Sequence, residues 1–337
     1  MQNESKVLLV VPLDLCYFDL MSPSDRISIL LPFKNAAPWI EDCLRSIQHQ
    51  SWTNWECHCI DDHSDDNSKS LVERFEACDA RIKVCSNHGS GIVDALNTGL
   101  AEVSGEWITR MDADDLMPSN KLELLREALD NKKGRVATGK VRYFSEEPVS
   151  EGYRKYEAWL NERIDQQDHW DWIYRECVIA SANWLTHRDH VFFEPGVYPE
   201  DYHHVFGWYE SKLEVKSVDA VTHLWREHPH RRSRRSDDYQ QEAFFQLKMS
   251  AFLRLDRKEE SPLVILGSNV KTQLIIPFLK ERGVPCVQLT QSDAHRLKSM
   301  EYPQILVGVY PSIQEQKKIV EYLGGLDLKM GRDWWWM

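Results

Sequence analysis

The first part of the chain alternates short apolar runs with amphipathic segments at a regular spacing. Residues 27–31 form an apolar run of β type, and apolar residues then recur at helical spacing, at Ile40, Cys43, Leu44 and Ile47. The same alternation predicts further strands at 56–60, 81–85 and 107–111, and helices at 68–77 and 91–103. Strands that alternate with helices of this length predict an α/β protein with a doubly wound sheet.

The pattern changes after about residue 135. The span 136–235 is aromatic, rich in histidine and irregular, and a helix is predicted at 240–255. A polar linker at 256–261 precedes a second alternation, with strands at 263–267, 285–289 and 305–309 and a helix that ends at Lys280. This pattern predicts a small Rossmann-like α/β domain over 262–337 of unknown role.

These segments predict the domain organisation. We expect an N-terminal extension over 1–26 and one large domain over 27–255. Its first half, 27–135, has the features of a nucleotide-binding unit, because ligands of such sheets bind outside the carboxyl ends of the strands. The span 136–235 would then form the acceptor half, and 236–255 a closing helix.

Composition narrows the functional classes. The chain has 337 residues and a net charge of −12, which argues against nucleic acid as a partner. Its eight cysteines do not cluster, as expected for free thiols in a cytoplasmic protein. No run approaches the roughly 18–20 apolar residues that a membrane span requires. Peripheral contact with the inner face of the plasma membrane is compatible with this composition. Homo-oligomerisation is compatible with it as well.

The strongest chemical signal is a carboxylate cluster at the end of the fourth predicted strand. Asp112, Asp114 and Asp115 lie within four positions, directly after that strand. Three anions at a strand end repel one another unless a cation lies among them. A hard divalent cation with oxygen ligands, which also binds a substrate phosphate, is the usual solution. The segment therefore predicts a metal and nucleotide site.

Tryptophan is the second unusual feature. Six of the thirteen tryptophans lie between residues 159 and 225. Core packing explains most of them, but indole rings also stack on sugar rings, and Trp184 and Trp208 are the candidates for acceptor contact.

Two features of the C-terminal part have alternative interpretations. The tryptophan triplet 334–336 is either a docked tail or a partner surface. The Gly267-Ser268-Asn269 turn either binds a nucleotide or is structural.

Five motifs together resemble a known family. They are ISILLPFKN (27–35), IDDHSDD (60–66), GIVDALNTG (91–99), GEWITRMDADD (105–115) and YPEDY (198–202). Their order and spacing resemble family 2 glycosyltransferases of the GT-A fold over about residues 27–235. Enzymes of this family move a sugar from a nucleotide diphosphate donor to an acceptor hydroxyl, with inversion at the anomeric carbon. The resemblance implies a GT-A mixed sheet flanked by helices.

The resemblance assigns residues to the donor. Pro32 and Asn35 match the place of the nucleotide base, and Asp62 matches a carboxylate that holds the uracil or ribose. His63 stands where the family usually has glycine, so this turn is expected to differ. Asp65 or Asp66 is expected to cap the next helix. Two more motif residues are assigned to the donor site, Asn97 and Ala113.

The same resemblance assigns the metal and the base. Asp112 and Asp114 form an Asp-x-Asp motif, which is implied to reach the ribose and a Mn²⁺ or Mg²⁺ ion on the donor phosphates. Asp115 either shares the metal shell or caps the next turn. Asp201 matches the base that takes the proton of the acceptor hydroxyl. Glu200 orients that base or the acceptor, unless the pair simply caps a helix.

A basic run at 228–235 stands out in this acidic chain. It is a solvated loop, a segment that closes on the donor diphosphate, or a contact with a lipid diphosphate or anionic membrane. His230 and Arg231 are the candidates for diphosphate contact.

The sequence therefore predicts a metal-dependent inverting glycosyltransferase with a nucleotide-sugar donor, most simply a UDP-sugar. A carbohydrate or glycolipid acceptor and a role in cell-surface polysaccharide or glycolipid synthesis follow by association with the family. Two alternatives stay open. A sugar nucleotidyltransferase would carry a Gly-rich basic loop after the first strand, where this chain has Pro32 to Asn35. A non-catalytic nucleotide- or carbohydrate-binding module would not need the intact carboxylates.

Overall fold

Strands and helices alternate along the first part of the chain, as its apolar pattern predicts. The computed structural model describes residues 25–229, 231, 239–309 and 312–337. The first four strands are β1 (Ile27–Phe33), β2 (Trp55–Asp61), β3 (Ile82–Ser86) and β4 (Trp107–Arg110). The helices are α1 (Ile40–Gln48), α2 (Ser68–Cys78), α3 (Ile92–Glu102) and α4 (Lys121–Leu129).

Burial explains why the first strands were readable from sequence. Every residue of β1, β2 and β4 is buried, as expected of parallel strands covered on both faces. Helix α1 buries the apolar stripe that its spacing predicts, formed by Ile40, Cys43, Leu44 and Ile47.

The span 136–235 is more regular than the sequence suggested. It contains β5 (Arg135–Phe144), α5 (Glu151–Gln166), β6 (Leu185–His187), α6 (Glu200–Glu210) and β7 (Glu214–Arg226). The prediction of irregular structure was wrong here. Strands β5 and β7 are only partly buried, and their parallel register shifts at Gly139 and Lys140. Both features break the apolar periodicity on which a sequence prediction depends.

The seven strands form one mixed sheet, in the order β3-β2-β1-β4-β6-β5-β7. Strands β1 to β4 pair in parallel, whereas β6 is antiparallel to both of its neighbours, β4 and β5. A mixed sheet flanked by helices agrees with the predicted class. This order brings the carboxyl ends of β1, β2 and β4 to one edge of the sheet.

The C-terminal part forms a second sheet after α7 (Gln241–Leu255). Its elements are β8 (Leu263–Leu266), α8 (Val270–Glu281), β9 (Val287–Leu289), β10 (Gln304–Val307), α9 (Ile313–Gly324) and β11 (Trp334–Trp336). The four strands are parallel in the order β11-β10-β8-β9. The tryptophan triplet is therefore a buried strand, which agrees with a docked tail and not with a partner surface. The domain boundary near 256–262 stays a prediction.

The Gly267-Ser268-Asn269 turn is closed by its own side chain. The Asn269 Oδ1 atom accepts the backbone N–H groups of Lys271 and Thr272, at 3.0 and 3.3 Å. These are donors that a phosphate at the start of α8 would need. The contacts favour the structural interpretation of this turn over a nucleotide site.

One hydrophobic core joins the two sheets. It contains Tyr174, Phe252 and Trp335, and the Trp335 ring lies 5.3 Å from the Phe252 ring and 6.2 Å from the Tyr174 ring. The C-terminal unit is therefore packed against the large sheet through α7. Within the described residues, no helix is long and apolar enough to cross a bilayer.

This packing predicts the effect of Trp335→Ala. Trp335 is 1% exposed, so truncation should leave a cavity and lower the free energy of unfolding by about 3–5 kcal/mol. Urea denaturation followed by circular dichroism measures the loss. Tyr302→Ala, at a side chain that is 80% exposed, is the control and should change it by less than about 0.5 kcal/mol. Equal effects of the two substitutions would contradict the role assigned to Trp335.

Candidate active site

A cavity of about 1150 Å³ lies at the sheet edge where β1, β2 and β4 end. Its walls include residues that directly follow these strands, together with residues of α6, β7 and the segment that precedes α7. Nine of the residues assigned from the sequence line it: Pro32, Asn35, Asp62, Asp112, Ala113, Asp114, Glu200, Asp201 and Arg231. Parallel strands explain the convergence, because their carboxyl ends share one edge.

Asp62 is held rigidly at the end of β2. Its Oδ1 atom accepts hydrogen bonds from Asn87 Nδ2 at 2.7 Å and from the Gly91 N–H at 2.8 Å. Its backbone N–H donates to the Phe33 carbonyl at 2.8 Å, which ties β2 to the end of β1. The carboxylate is thus fixed in the cavity wall by two other elements.

The turn after β2 keeps the conformation of the glycine that it lacks. His63 has φ of 58°, in the left-handed region, and its Nε2 atom lies 2.8 Å from the Gly89 carbonyl. Whether this turn differs from that of the family stays a prediction. Asp66, rather than Asp65, contacts the start of α2, since its Oδ1 accepts the Ser68 N–H at 2.8 Å.

The Asp-x-Asp segment is held by partners from three separate parts of the chain. Asp112 Oδ1 accepts from Arg110 Nε at 2.8 Å, and its Oδ2 accepts from Ser181 Oγ at 3.3 Å. Asp114 Oδ2 lies 2.8 Å from His228 Nε2, and the His228 ring stacks on Trp39 at 4.0 Å. Burial raises the pKa of Asp114, but the His228 hydrogen bond and the Arg231 charge outweigh it and hold the pKa below its ordinary value.

Asp115 lies behind this segment and does not line the cavity. It is 1% exposed, it accepts a hydrogen bond from the Arg226 N–H at 2.8 Å, and its Oδ2 atom lies 2.9 Å from His223 Nε2. Burial and the neighbouring Asp114 raise its pKa. These contacts join the Asp-x-Asp segment to β7. They fit neither of the two roles predicted for Asp115, a metal ligand or the cap of the next turn.

Arg110 links the two groups of acidic residues. Its Nη1 atom donates to Glu200 Oε1 at 2.9 Å, while its Nε atom holds Asp112. Glu200 Oε2 accepts from the Tyr239 hydroxyl at 2.5 Å, so both oxygens of this carboxylate are engaged. Glu200 is therefore a fixed anion within a buried network.

Asp201 differs from its neighbour. Its Oδ1 atom accepts its own helix's Tyr202 N–H at 2.8 Å, and within the described part of the chain no hydrogen bond engages Oδ2. Burial and the Glu200 charge raise the pKa of Asp201 to about 7, although Arg110 opposes them. A carboxylate with a spare oxygen and a pKa near neutrality suits proton abstraction better than Glu200 does.

The residues fit a divalent cation only in part. Among the described residues, no group of three or more His, Cys, Asp or Glu side chains is arranged as a metal site. The Asp114 carboxylate and the His228 imidazole are nevertheless adjacent at the cavity wall. These two groups could supply two ligands of a cation, and phosphate oxygens of a substrate could supply others.

Three assignments are corrected by the geometry. Trp184 and Trp208 are 2% and 1% exposed, and their indole N–H groups donate to the carbonyls of Ser181 and His190. They are core residues and do not line the cavity. Asn97 Nδ2 donates to the Phe193 carbonyl at 2.9 Å, so this side chain joins α3 to a loop away from the cavity wall. His230 lies outside the described residues.

Several cavity residues escaped the sequence analysis. Arg110 lies in the motif 105–115 and His228 begins the basic run, but neither was assigned a role, and only the fold places them against Asp112 and Asp114. The cavity wall also contains an aromatic group, in which Tyr143 stacks on Trp225 at 5.0 Å, with Tyr153 and Tyr156 beside the pair. Trp225 belonged to the tryptophan-rich span, but sequence alone could not separate it from the core tryptophans.

Comparison with known families agrees with this geometry. Residues 28–191 match the model of glycosyl transferase family 2. The chain therefore contains a family 2 glycosyltransferase domain, and the resemblance drawn from its motifs is confirmed over residues 28–191.

Two curated relatives show the extent of the similarity. The uncharacterized glycosyltransferase EpsJ of Bacillus subtilis is 27% identical over 60% of this chain. The alignment covers 61% of EpsJ, so this chain spans about three fifths of that relative. The UDP-Glc:α-D-GlcNAc-diphosphoundecaprenol β-1,3-glucosyltransferase WfgD of Escherichia coli is 29% identical over 58% of this chain and 72% of WfgD.

Solved structures share the fold. TarS 1–349 of S. aureus in complex with UDP-GlcNAc has a TM-score of 0.54 at 18% identity, over 89% of this chain and 80% of that one. The mannosyltransferase PcManGT of Pyrobaculum calidifontis, in complex with GDP-Man and Mn²⁺, has a TM-score of 0.51 at 20% identity, over 70% of this chain and 67% of that one. At these identities the likeness shows a GT-A-like fold and nothing further.

The buried network predicts the effect of Arg110→Ala. The substitution leaves Glu200, which is 3% exposed, without its cation, and should lower the free energy of unfolding by about 3–5 kcal/mol. Thermal or urea denaturation measures it. Arg74→Ala, which removes an exposed ion pair with Glu41, is the control and should cost less than about 1 kcal/mol. A loss that small for Arg110→Ala would contradict the network.

Proposed function

We propose that the chain is a metal-dependent inverting glycosyltransferase. It would move a sugar from a nucleotide diphosphate donor, a UDP-sugar, to a hydroxyl of a carbohydrate or glycolipid acceptor in cell-surface polysaccharide or glycolipid synthesis. The observation that carries the proposal is one cavity lined by both the Asp114–His228 pair and Asp201. The Asp114–His228 pair suits a donor diphosphate, and Asp201 suits an acceptor hydroxyl.

The donor half would be built from the ends of β1, β2 and β4. Asp62 would accept hydrogen bonds from the base or ribose, as an acceptor-only group can. Asp114 and His228 would hold a Mn²⁺ or Mg²⁺ ion on the donor phosphates, and Asp112 would face the ribose. Such an ion neutralises the charge that develops on the departing diphosphate. Arg231, which lines the same cavity, would add hydrogen bonds to the phosphates.

The acceptor half would depend on Asp201. Its free oxygen would take the proton of the acceptor hydroxyl as that oxygen attacks the anomeric carbon. Glu200, held by Arg110 and Tyr239, would keep the negative potential that raises the pKa of Asp201. The stacked pair of Tyr143 and Trp225 offers an aromatic face for an acceptor sugar.

The two alternatives find less support. The segment after β1 contains Pro32 and Asn35 but no Gly-rich basic loop, which disfavours a sugar nucleotidyltransferase. A binding module would have no need of a carboxylate with a free oxygen and a pKa near 7 beside an Asp-x-Asp segment.

Asp201→Asn should abolish transfer while the donor still binds. The amide cannot accept the hydroxyl proton, so kcat should fall by at least about a hundredfold. Transfer and Mn²⁺-dependent UDP binding are measured on the same preparation. Asp189→Asn, at a side chain that is 68% exposed, serves as the matched control. Full transfer by the Asp201→Asn protein would exclude Asp201 as the base.

The rate of transfer should rise with pH up to about the pKa of Asp201 and then level off. Because the pKa of Asp201 is raised to about 7, its carboxylate form is gained as pH rises through that value. We expect kcat/KM to fall about tenfold per pH unit well below 7 and to level off above it. A pH–rate profile tests this. A profile that stays flat between pH 5 and 8 would argue against an Asp201 base with this pKa.

His228→Ala should weaken metal-dependent donor binding. The loss of one ligand should reduce the affinity for Mn²⁺, measured with UDP present, by on the order of tenfold or more. Asp114→Asn should act in the same direction. His295→Ala, at an exposed histidine of the C-terminal unit, is the control. Unchanged Mn²⁺ affinity in both variants would remove the Asp114–His228 pair from the metal site.

A further inference from the structure

His228 lies just beyond the regular part of its strand. Strand β7 ends at Arg226, and the Glu227 N–H donates to the Phe144 carbonyl at 2.8 Å. His228 is the next residue, so the orientation of its side chain depends on tertiary contacts rather than on the sheet. Its Nε2 atom lies 2.8 Å from Asp114 Oδ2, and this contact fixes one point of the imidazole ring but not the plane of the ring.

A tryptophan sets the plane of this ring. Trp39 stacks on His228, with 4.0 Å between the ring centroids and 28° between the ring planes. Both residues line the active-site cavity, and the His228 side chain is 11% exposed. A flat aromatic neighbour at this distance restricts the tilt of the imidazole. Asp114 and Trp39 together therefore define where the ring lies and how it is turned.

Trp39 itself is firmly held. It directly precedes α1, its N–H donates to the Ala36 carbonyl at 2.9 Å, and its carbonyl accepts the Cys43 N–H at 3.1 Å. The Ala36 N–H in turn donates to Ser68 Oγ at 2.7 Å, which ties this loop to the start of α2. The indole ring is therefore placed by contacts to two helices.

Core packing does not account for Trp39. It is only partly buried, and the described residues that form or border the four hydrophobic clusters do not include it. In this respect it differs from Trp184 and Trp208, which are core residues. A large aromatic side chain that is left out of the core and stacks on a cavity histidine points to a role at the site.

We propose that Trp39 is a positioning residue of the donor site, which holds the His228 imidazole in the orientation that a metal ligand needs. A histidine binds a cation through the lone pair of one ring nitrogen, so its affinity depends on where that lone pair points. Neighbours that fix the ring therefore contribute to the affinity without touching the cation. The role of Trp39 rests on the metal site of Asp114 and His228 proposed above.

Calorimetric titration of the whole chain with UDP, in Mn²⁺ and in EDTA, tests this role. Trp39→Ala should weaken UDP binding in Mn²⁺ by about three- to tenfold, because an aromatic pair contributes up to about a factor of ten to an equilibrium constant. Trp39→Phe keeps a ring against His228 and should stay within about twofold of the unsubstituted protein. Binding in EDTA should be the same in all three proteins. An equal loss in EDTA would show that Trp39 contacts UDP itself and would overturn the proposal.

Trp52→Ala is the matched control for folding. Trp52 is also partly buried, but it packs against a hydrophobic core and does not line the cavity. Its truncation should lower the stability, measured by urea denaturation, and leave the Mn²⁺-dependent affinity for UDP unchanged. A loss of this affinity in Trp52→Ala equal to that in Trp39→Ala would assign both losses to destabilisation and overturn the positioning role.

A double substitution shows whether Trp39 acts through His228. If it does, the protein with both Trp39→Ala and His228→Ala should bind UDP in Mn²⁺ no more weakly than His228→Ala alone. Additive losses would overturn the positioning role. A loss in His228→Ala without any loss in Trp39→Ala would also overturn it, while the metal site would stand.

Failure of the metal site itself gives a different result. Unchanged UDP affinity in His228→Ala would remove His228 from the metal site, and the role of Trp39 would fall with it. If the chain transfers no sugar, these titrations still decide the role of Trp39, because none of them measures transfer.

Discussion

The site depends on one buried guanidinium. Arg110, the last residue of β4, holds Asp112 with one nitrogen and Glu200 with another. Asp112 opens the Asp-x-Asp segment, and Glu200 begins α6 and precedes Asp201. Two ion pairs of one guanidinium therefore set the position of the Asp-x-Asp segment relative to the candidate base. Because the three side chains are largely buried, their Coulomb interaction is poorly screened, and removal of any one leaves an uncompensated charge.

A second constraint is the shared core that joins the two sheets. Helix α7 packs between them, with Phe252 against Trp335. The C-terminal unit can therefore contribute to the surroundings of the active site although its strands belong to another sheet. In this arrangement the tryptophan triplet stabilises the interface.

The sequence identified cavity residues at the strand ends far better than aromatic residues of the cavity wall. β1, β2 and β4 are short and fully buried, so their apolar runs and the polar residues that follow them were readable. The residues Asp62, Asp112 and Asp114 could be assigned for this reason. In contrast, Trp184 and Trp208 were chosen as acceptor contacts, but both are core residues. A tryptophan in the core and one in a cavity wall have the same local pattern, and only packing distinguishes them.

By itself the sequence determined the class of fold, the family and the carboxylates at the strand ends, because these depend on local periodicity and on motifs of consecutive residues. Tertiary structure decided which side chains meet across long separations. It placed His228 against Asp114 and Trp39, and Arg110 between two acidic groups. Such pairs join residues from different elements, and no local pattern encodes them. Tertiary contacts also distinguish the two carboxylates, because both oxygens of Glu200 accept hydrogen bonds, whereas burial and the Glu200 charge raise the pKa of Asp201.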